Sequence, residues 1–423
     1  MKKPNRAKLF KVWVISDLDF KKFRPLVQFC FRFIDMLLAN QLRYFGRRDS
    51  RFVFSVLNSS SFWSLSRIVA SPPTPAISIN ERERRRLFSL SSASGMDASP
   101  TCSLVLSGKT AAENETAKLL KRNDTLKLPD DTEISVLLHS EKDKPLEENG
   151  FRIDLYLNAL STDTFGRFLI WSPRVPSTQD VISHNFSNLP LGAVCVADVQ
   201  FKGRGRSKNL WESPPGCLMF SFTIQMEDGR TVPLLQYVIS LAITEAIKDI
   251  CDKEGLPYID LKIKWPNDLY VNDLKVGGVL CTSTYRLKKF NVTAGIGLNV
   301  ENDKPSTCLN EALTDLSSTP YKFRKEDILA FFFNKFERLY DVFINQGFRA
   351  LEELYYQTWL HSGQRVVVQE KKEDQVVENV VTIQGLTSSG YLLAIGDDNQ
   401  MCELHPDGNS LDFFKGLIKS KLV

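Results

Sequence analysis

The run LKIKWPNDLYVNDLKVGGVLCTSTYRLKKFNVTAGIGLNV (261–300) constrains the fold more than any other stretch of the chain. Its apolar runs have strand length, Pro266 ends the first of them by removing a ladder donor, and Asn272-Asp273 supplies a hairpin turn. Upstream, CLMFSFTIQM alternates as a strand before the turn EDGR. VPLLQYVISLAITEAIKDICDKEG reads as a helix, with Pro233 in its first turn, apolar residues at spacings of three and four, and Gly255 at its end. Adjacent antiparallel strands with few helices predict an α+β domain rather than a doubly wound sheet.

The same reading extends outward. FGRFLIW and LGAVCVADVQ are strands, with a polar helix after SPRVPSTQD between them. RKEDILAFFFNKFERLYDVFINQGF is an amphipathic helix whose Phe331, Phe332, Phe333 and Phe336 belong to a core, and LEELYYQTWL is a second helix. Beyond it, short strands separated by Gly, Ser and Asp turns predict a small β-barrel. Four segments result: a 1–95 extension, a small α/β unit over 96–160, a main domain over 161–360 and the barrel over 361–423.

Charge divides the chain unevenly. The first 95 residues hold 18 of the 54 Lys and Arg and 6 of the 50 Asp and Glu, leaving 36 basic against 44 acidic residues in the remainder. That acidic body speaks against a nucleic-acid binder, so partners must be recognised at local sites. The Arg- and Ser-rich extension resembles a plastid or mitochondrial transit peptide, and Met96 offers an internal start. FCFRFIDMLLANQLRYF is too short for a membrane span and is broken by Arg32, Asp35 and Arg43, so no membrane association and a soluble protein are expected. The eight cysteines have no C-x-x-C pair and no His at ligand spacing, which disfavours zinc and a disulfide framework and fits a reducing compartment. His139, His184, His361 and His405 stand alone and are assigned no chemistry. SGKT resembles the end of a phosphate loop, but Ser103 stands where the first glycine is required and the motif fails.

Two segments carry chemistry. In KGRGRSKNLW (202–211), glycines let the backbone approach an anion while guanidinium groups supply charge and planar donors. An RGR run by itself also occurs in nucleic-acid-binding tails, but this one sits between two predicted strands. In KIKWPND, Lys264 ends a strand and Pro266 presents Asn267 and Asp268 from a rigid bend, with Lys275 across the hairpin. The plain alternative is ordinary turn chemistry and a solvated lysine. GIGLN lacks the third glycine and the following helix of a dinucleotide fingerprint.

Together these segments resemble the biotin protein ligases, or holocarboxylase synthetases, of the plant type. The resemblance spans about residues 96–423 and is carried by Ser177-Thr178-Gln179, by Gln200 with Gly203, Arg204, Gly205 and Arg206, by Trp211, by KWPNDLYVNDLKVGG and by GIGLNV from Gly295. It implies the biotin/lipoate ligase catalytic fold, a mixed, largely antiparallel sheet with flanking helices related to class II aminoacyl-tRNA synthetases, followed by the small barrel. It also implies an ATP-dependent, AMP-forming enzyme that makes biotinyl-5′-AMP and pyrophosphate, then passes biotin to a lysine of a carboxylase carrier domain.

By the same resemblance, Ser177, Thr178, Gln179, Gln200, Gly203, Arg204, Gly205, Arg206 and Lys275 bind biotin. Arg206, Trp211, Lys264, Asn267 and Asn299 bind ATP or the adenylate, and Arg206, Lys264, Lys275 and Asp268 are catalytic. The loop of Arg204, Gly205 and Arg206 orders over the intermediate and excludes water from a mixed anhydride. Asn267 and Asp268 are placed for the nucleotide, its Mg²⁺ or the incoming amine. An apolar wall is expected from Trp211 and Val276, with Gly277 and Gly278 allowing close approach. ATP, biotin and Mg²⁺ are the implied small molecules, and carboxylases of the acetyl-CoA carboxylase type the implied partners, in chloroplast, cytosol or mitochondrion. The chain departs from bacterial relatives in having Ser207-Lys208-Asn209 after the arginines, and without a helix-turn-helix module repression of the bacterial kind is not expected. The rival readings are a lipoate or octanoyl transferase and a basic-loop nucleic-acid-binding protein.

Overall fold

The computed structural model describes residues 101–141, 150–206, 209–302, 306–372, 375–406, 409–412 and 415–420. The 1–95 extension, with its transit-peptide reading, and Met96 lie outside the described residues, as do Ser207 and Lys208. In chain order the elements are β1 (Cys102–Gly108), α1 (Ala111–Asn123), β2 (Ile134–Leu138), α2 (Ile153–Ala159), β3 (Phe168–Val175), α3 (Thr178–Asn185), β4 (Val194–Gln200) and β5 (Cys217–Met226). There follow α4 (Leu235–Glu254), β6 (Lys262–Lys264), β7 (Asp268–Val271), β8 (Leu274–Arg286), β9 (Lys289–Asn299), α5 (Leu309–Leu316), α6 (Lys325–Gln346) and α7 (Glu352–Thr358). The C-terminal strands are β10 (Arg365–Lys372), β11 (Gln375–Leu386), β12 (Leu392–Gly396), β13 (Met401–Leu404), β14 (Asn409–Asp412) and β15 (Leu417–Ser420).

Among the described residues, β1 to β9 form one mixed sheet in the order β2-β1-β3-β4-β5-β9-β8-β7-β6. Only β1–β2 and β3–β4 pair in parallel, as expected of a largely antiparallel α+β sheet. The 96–160 segment, set apart in the sequence reading, contributes β1 and β2 to the edge of this same sheet. The hairpin β7–β8 turns at Asn272 and Asp273, with φ of 48° and 64°, the positive values a two-residue turn of this kind demands. Gly255, at φ 63°, ends α4 in the left-handed region.

Strand β5 shows how the sheet separates its two tasks. Successive side chains point to opposite faces. Phe220 and Phe222 pack against Phe332, Phe333 and Phe336 of α6, with ring centroids 5.2–6.0 Å apart. Ser221, between them, is equally buried and faces helix α3. The failed phosphate-loop motif also has a structural use: Lys109 Nζ donates to the carbonyl oxygens of Leu157 and Leu160 at 2.7 and 2.6 Å, tying the end of α2 to β1.

The C-terminal strands form a six-stranded sheet in the order β13-β12-β11-β10-β15-β14, curled as an open half of the small barrel expected. It meets the main domain through buried contacts. Tyr237 of α4 donates its hydroxyl to Gly390 O at 2.6 Å, and Leu386 N of β11 donates to the Tyr356 hydroxyl of α7 at 2.9 Å.

Candidate active site

Ser177 has extended backbone geometry and caps α3, its hydroxyl accepting from Gln179 N at 3.3 Å. The cap aims the first helical turn at the sheet. Thr178 Oγ1 lies 2.8 Å from Ser221 Oγ and donates to Gln200 Oε1 at 3.1 Å, and Thr178 N donates to the same oxygen at 2.8 Å. Gln179 Nε2 donates to Thr282 Oγ1 and Thr293 O, while its Oε1 accepts from Ser221 Oγ at 3.2 Å. Gln200 Nε2 in turn donates to Ser213 Oγ at 3.1 Å. The result is an uncharged network, buried at Thr178, Gln179 and Ser221, half-buried at Gln200 and Ser213 and reaching exposed Thr282, that spans α3, β4, β5, β8 and β9. Gly295 makes room for it, since a Cβ there would lie 2.4 Å from Gln179 Oε1.

A second cluster is charged. Asp268 Oδ1 lies 2.6 Å from Lys275 Nζ, and its Oδ2 lies 3.9 Å from Lys264 Nζ. Burial pushes the Lys264 ammonium pKa down, and the positive charges of Lys275 and Arg206 add to that, against the opposing pull of Asp268. Arg206 Nη1 donates to Asn267 Oδ1 at 3.0 Å and its Nη2 to the carbonyl of Pro406 at 2.7 Å, so the C-terminal sheet helps hold this arginine. Asn267 is oriented for that contact because its Nδ2 donates to Val279 O while its carbonyl accepts from Val279 N. Arg204, Arg206, Lys264 and Lys275 share the cavity lining with Asp268 and Glu212, an excess of cations suited to an anionic ligand, and Asp412 also acts on Lys264 from nearby.

The bend that carries Asn267 and Asp268 is anchored from behind. The Trp265–Pro266 peptide is cis. Trp265 N donates to His361 Nε2 at 2.9 Å, and His361 Nδ1 is 2.9 Å from Gln364 Oε1. Burial lowers the His361 pKa to about 4, so the ring is neutral and free to accept this backbone proton.

The arginine loop is a small hairpin in its own right. Gly205 N donates to Asn209 O, Trp211 N to Gly203 O, and Arg204 bridges Leu210 across it. Trp211 lies flat over β9, where a Cβ on Gly297 would meet its ring at 2.6 Å, and Lys275 Nζ sits 5.4 Å from a ring centroid. These groups surround a cavity of about 670 Å³, within the size range of a small-molecule site. Among the described residues no cluster of three His, Cys, Asp or Glu could hold a metal ion.

The profile of the biotin/lipoate A/B protein ligase family matches residues 171–299, and that of the biotin protein ligase C-terminal domain matches residues 361–416. Biotin–protein ligase 1, chloroplastic, of Arabidopsis thaliana is 65% identical over 78% of this chain and 91% of its own length. Biotin–protein ligase 2 of the same plant is 63% identical over 77% of this chain and 100% of its own length. The chain belongs to the biotin protein ligase family. The human biotin–protein ligase is 32% identical, over 64% of this chain and 38% of its own length. Among solved structures, an Aquifex aeolicus biotin protein ligase in complex with biotin and ATP is 26% identical with a TM-score of 0.45, covering 56% of this chain and 96% of its own.

In this ligase, Ser177, Thr178, Gln179, Gln200, Arg204, Gly205, Arg206, Trp211, Lys264, Asn267, Asp268, Lys275 and Asn299 all line the one cavity. Arg206 and Lys275, distant in sequence, are brought to the same space. Gly203 is placed behind the lining, where a Cβ would meet Trp211 O at 2.5 Å. Asn299 is held by Thr307 O and by the thiol of Cys217.

Val276 is a correction. It is fully buried in the core, and Val279 and Ile296 line the cavity instead. Strict alternation along β8 already sets Val276 on the face opposite the cavity-lining Lys275, and it is the extra residue of a bulge, where Leu269 pairs with Gly277 and Tyr270 with Lys275. The bulge turns both Lys275 and Gly278 toward the cavity and sends Gly277 to the core side, against Leu269 and Leu298. Sequence reasoning named Gly295 only as the start of the GIGLNV motif, and it missed Ser221, Ser213, Thr282, the anchoring role of His361 and the Pro406 carbonyl. Ser221 left a signal, as the first of the polar residues Ser221, Thr223 and Gln225 that alternate with apolar ones along β5. The others left none.

Proposed function

We propose that the cavity carries out both half-reactions of protein biotinylation. The biotin carboxylate attacks the α-phosphorus of ATP, the bond to the pyrophosphate oxygen breaks, and biotinyl-5′-AMP and pyrophosphate result. The amine of a carrier-domain lysine then attacks the acyl carbon, AMP leaves and the amine loses a proton as the amide forms. In this reading Lys275, Lys264 and Arg206 offset charge on the phosphate and carboxylate oxygens, which would otherwise repel as they approach. Asp268 keeps the two lysines directed at a common point. The network of Thr178, Gln179, Ser221 and Gln200 meets the ureido ring with short neutral donors and acceptors, and Trp211, Val279 and Ile296 form the apolar wall. Mg²⁺ enters with the phosphates of ATP as part of the substrate, an ion that characteristically needs only one or two protein carboxylates.

The observation that carries the proposal is the convergence of Lys264 and Lys275 on Asp268 and of Arg206 on the adjacent Asn267, in a cavity that also contains the uncharged network. The test is mass spectrometry of a purified carrier domain incubated with the protein, ATP, Mg²⁺ and biotin. One biotinyl group should be added, only with ATP present. Transfer of lipoate in place of biotin, or transfer without ATP, would overturn it.

We further propose carriers of the acetyl-CoA carboxylase type and a chloroplast location. The Arg- and Ser-rich extension and the chloroplastic name of an Arabidopsis relative support the location. Fluorescent fusions of the full chain and of a form starting at Met96 test it, and identical distributions would remove the transit reading.

A further inference from the structure

We infer that Asp180 is a positioning residue: through Arg204 it latches the root of the arginine loop to helix α3, so that the loop and the biotin-facing first turn move as one unit. The inference rests on the reading that this loop covers the adenylate.

Asp180 follows Gln179 directly, in the first turn of α3. Its side chain is only 2% exposed, yet its Oδ2 has no hydrogen-bond partner. Its Oδ1 lies 3.0 Å from Arg204 Nη2, whose own side chain is 55% exposed. Burial raises the Asp180 pKa, and the charges of Arg204 and, to a smaller extent, His184 and Lys202 oppose that, while Asp130 adds to it. Lys202 is itself engaged by Asp130 at 2.8 Å. A buried carboxylate satisfied on one side is a poor device for stability, because its desolvation is incompletely repaid. Its position suggests another use.

Arg204 is the rung of the loop hairpin opposite Leu210, one residue before Gly205 and two before Arg206. Trp211 leaves the same hairpin on its other side and covers β9. Fixing Arg204 therefore fixes the base from which both Arg206 and Trp211 are presented to the cavity. The anchor lies on the helical turn that supplies Thr178 and Gln179 to the uncharged network. A displacement of that turn is passed to the arginines through this ion pair, which acts beside the backbone bond from Lys202 N to Pro176 O and the Thr178–Gln200–Ser213 link, and the reverse holds as well.

The experiment compares wild type, Asp180→Asn, Arg204→Gln, the double variant and Arg206→Gly as full-length proteins with biotin, ATP, Mg²⁺ and a carrier domain. It reads the biotinyl adenylate escaping per carrier modified, from labelling of lysines on an added protein that is not a carrier, and it reads thermal unfolding in parallel. Asp180→Asn should raise escape about fivefold, with an unfolding temperature equal to or above wild type, because one half-satisfied buried charge is removed. Arg204→Gln, at an exposed position, should raise escape equally, and the double variant no further. Unchanged escape in Asp180→Asn or Arg204→Gln, or additive effects in the double variant, overturns the latch while Arg206→Gly still leaks. If Arg206→Gly is also tight, the covering-loop reading fails and the latch fails with it.

Discussion

The two halves of the cavity lining are built on opposite principles. The uncharged network of Thr178, Gln179, Ser221 and Gln200 satisfies itself, each side chain held by at least one other, and it spans five elements of the fold. The charged half does not balance, with Arg204, Arg206, Lys264 and Lys275 in the lining against Asp268 and Glu212, and Asp412 acting on Lys264 from nearby. A satisfied network is rigid and selects by shape and hydrogen-bond pattern. An unbalanced cluster stores repulsion that an arriving anion relieves, so it favours charge that accumulates during reaction.

The comparison can be broken most severely at the charged half. Lys275→Ala should slow biotin-dependent ATP–pyrophosphate exchange by about 10²- to 10³-fold, the usual cost of losing one preorganised charge at a reacting group. A loss confined to the KM for biotin would move Lys275 out of the charged half. The uncharged half is sharpened by Gly295→Ala, whose Cβ would intrude to 2.4 Å from Gln179 Oε1 and 3.1 Å from Ser221 Oγ. Steady-state kinetics should show the KM for biotin raised about tenfold with the KM for ATP little changed, a typical overpacking penalty. Equal effects on both substrates would erase the distinction between the halves.

The smallest effect at neutral pH belongs to His361, which sits behind the charged half. The unfolded chain takes up its proton near 6.5 and the folded one only near 4, so stability falls as pH is lowered through that window and is not regained below it. Above pH 6.5 the residue adds no pH dependence. Denaturant midpoints measured across pH 4 to 6.5 should fall less steeply in His361→Gln than in wild type, and parallel slopes would show that the ring does not stay neutral.

Much of this was legible in the chain itself. Periodicity marked β5, α4 and α6, and Pro266 and Asn272-Asp273 marked the bend and the hairpin turn. Local chemistry decides such features within a few residues, which is why they can be read one segment at a time. The membership of β1 and β2 in the main sheet was not legible, because strand neighbours are chosen by long-range packing. Val276 was misplaced although alternation opposite Lys275 already sets it in the core; the bulge, which no residue type announces, decides instead that Gly277 joins it there and that Gly278 returns to the cavity.

Sequence alone determined the residue types, the hairpin and the two separated segments with cations, since turn chemistry and hydrophobic period are local properties. The tertiary structure decided that Arg206 is held by the carbonyl of a strand-linking residue 200 positions away, that His361 anchors the Trp265 backbone, and that Asp180 meets Arg204. Such contacts depend on where the sheet, α3 and the C-terminal strands come to rest against one another, and burial and Coulomb interaction act between side chains only once packing has brought them within a few ångströms.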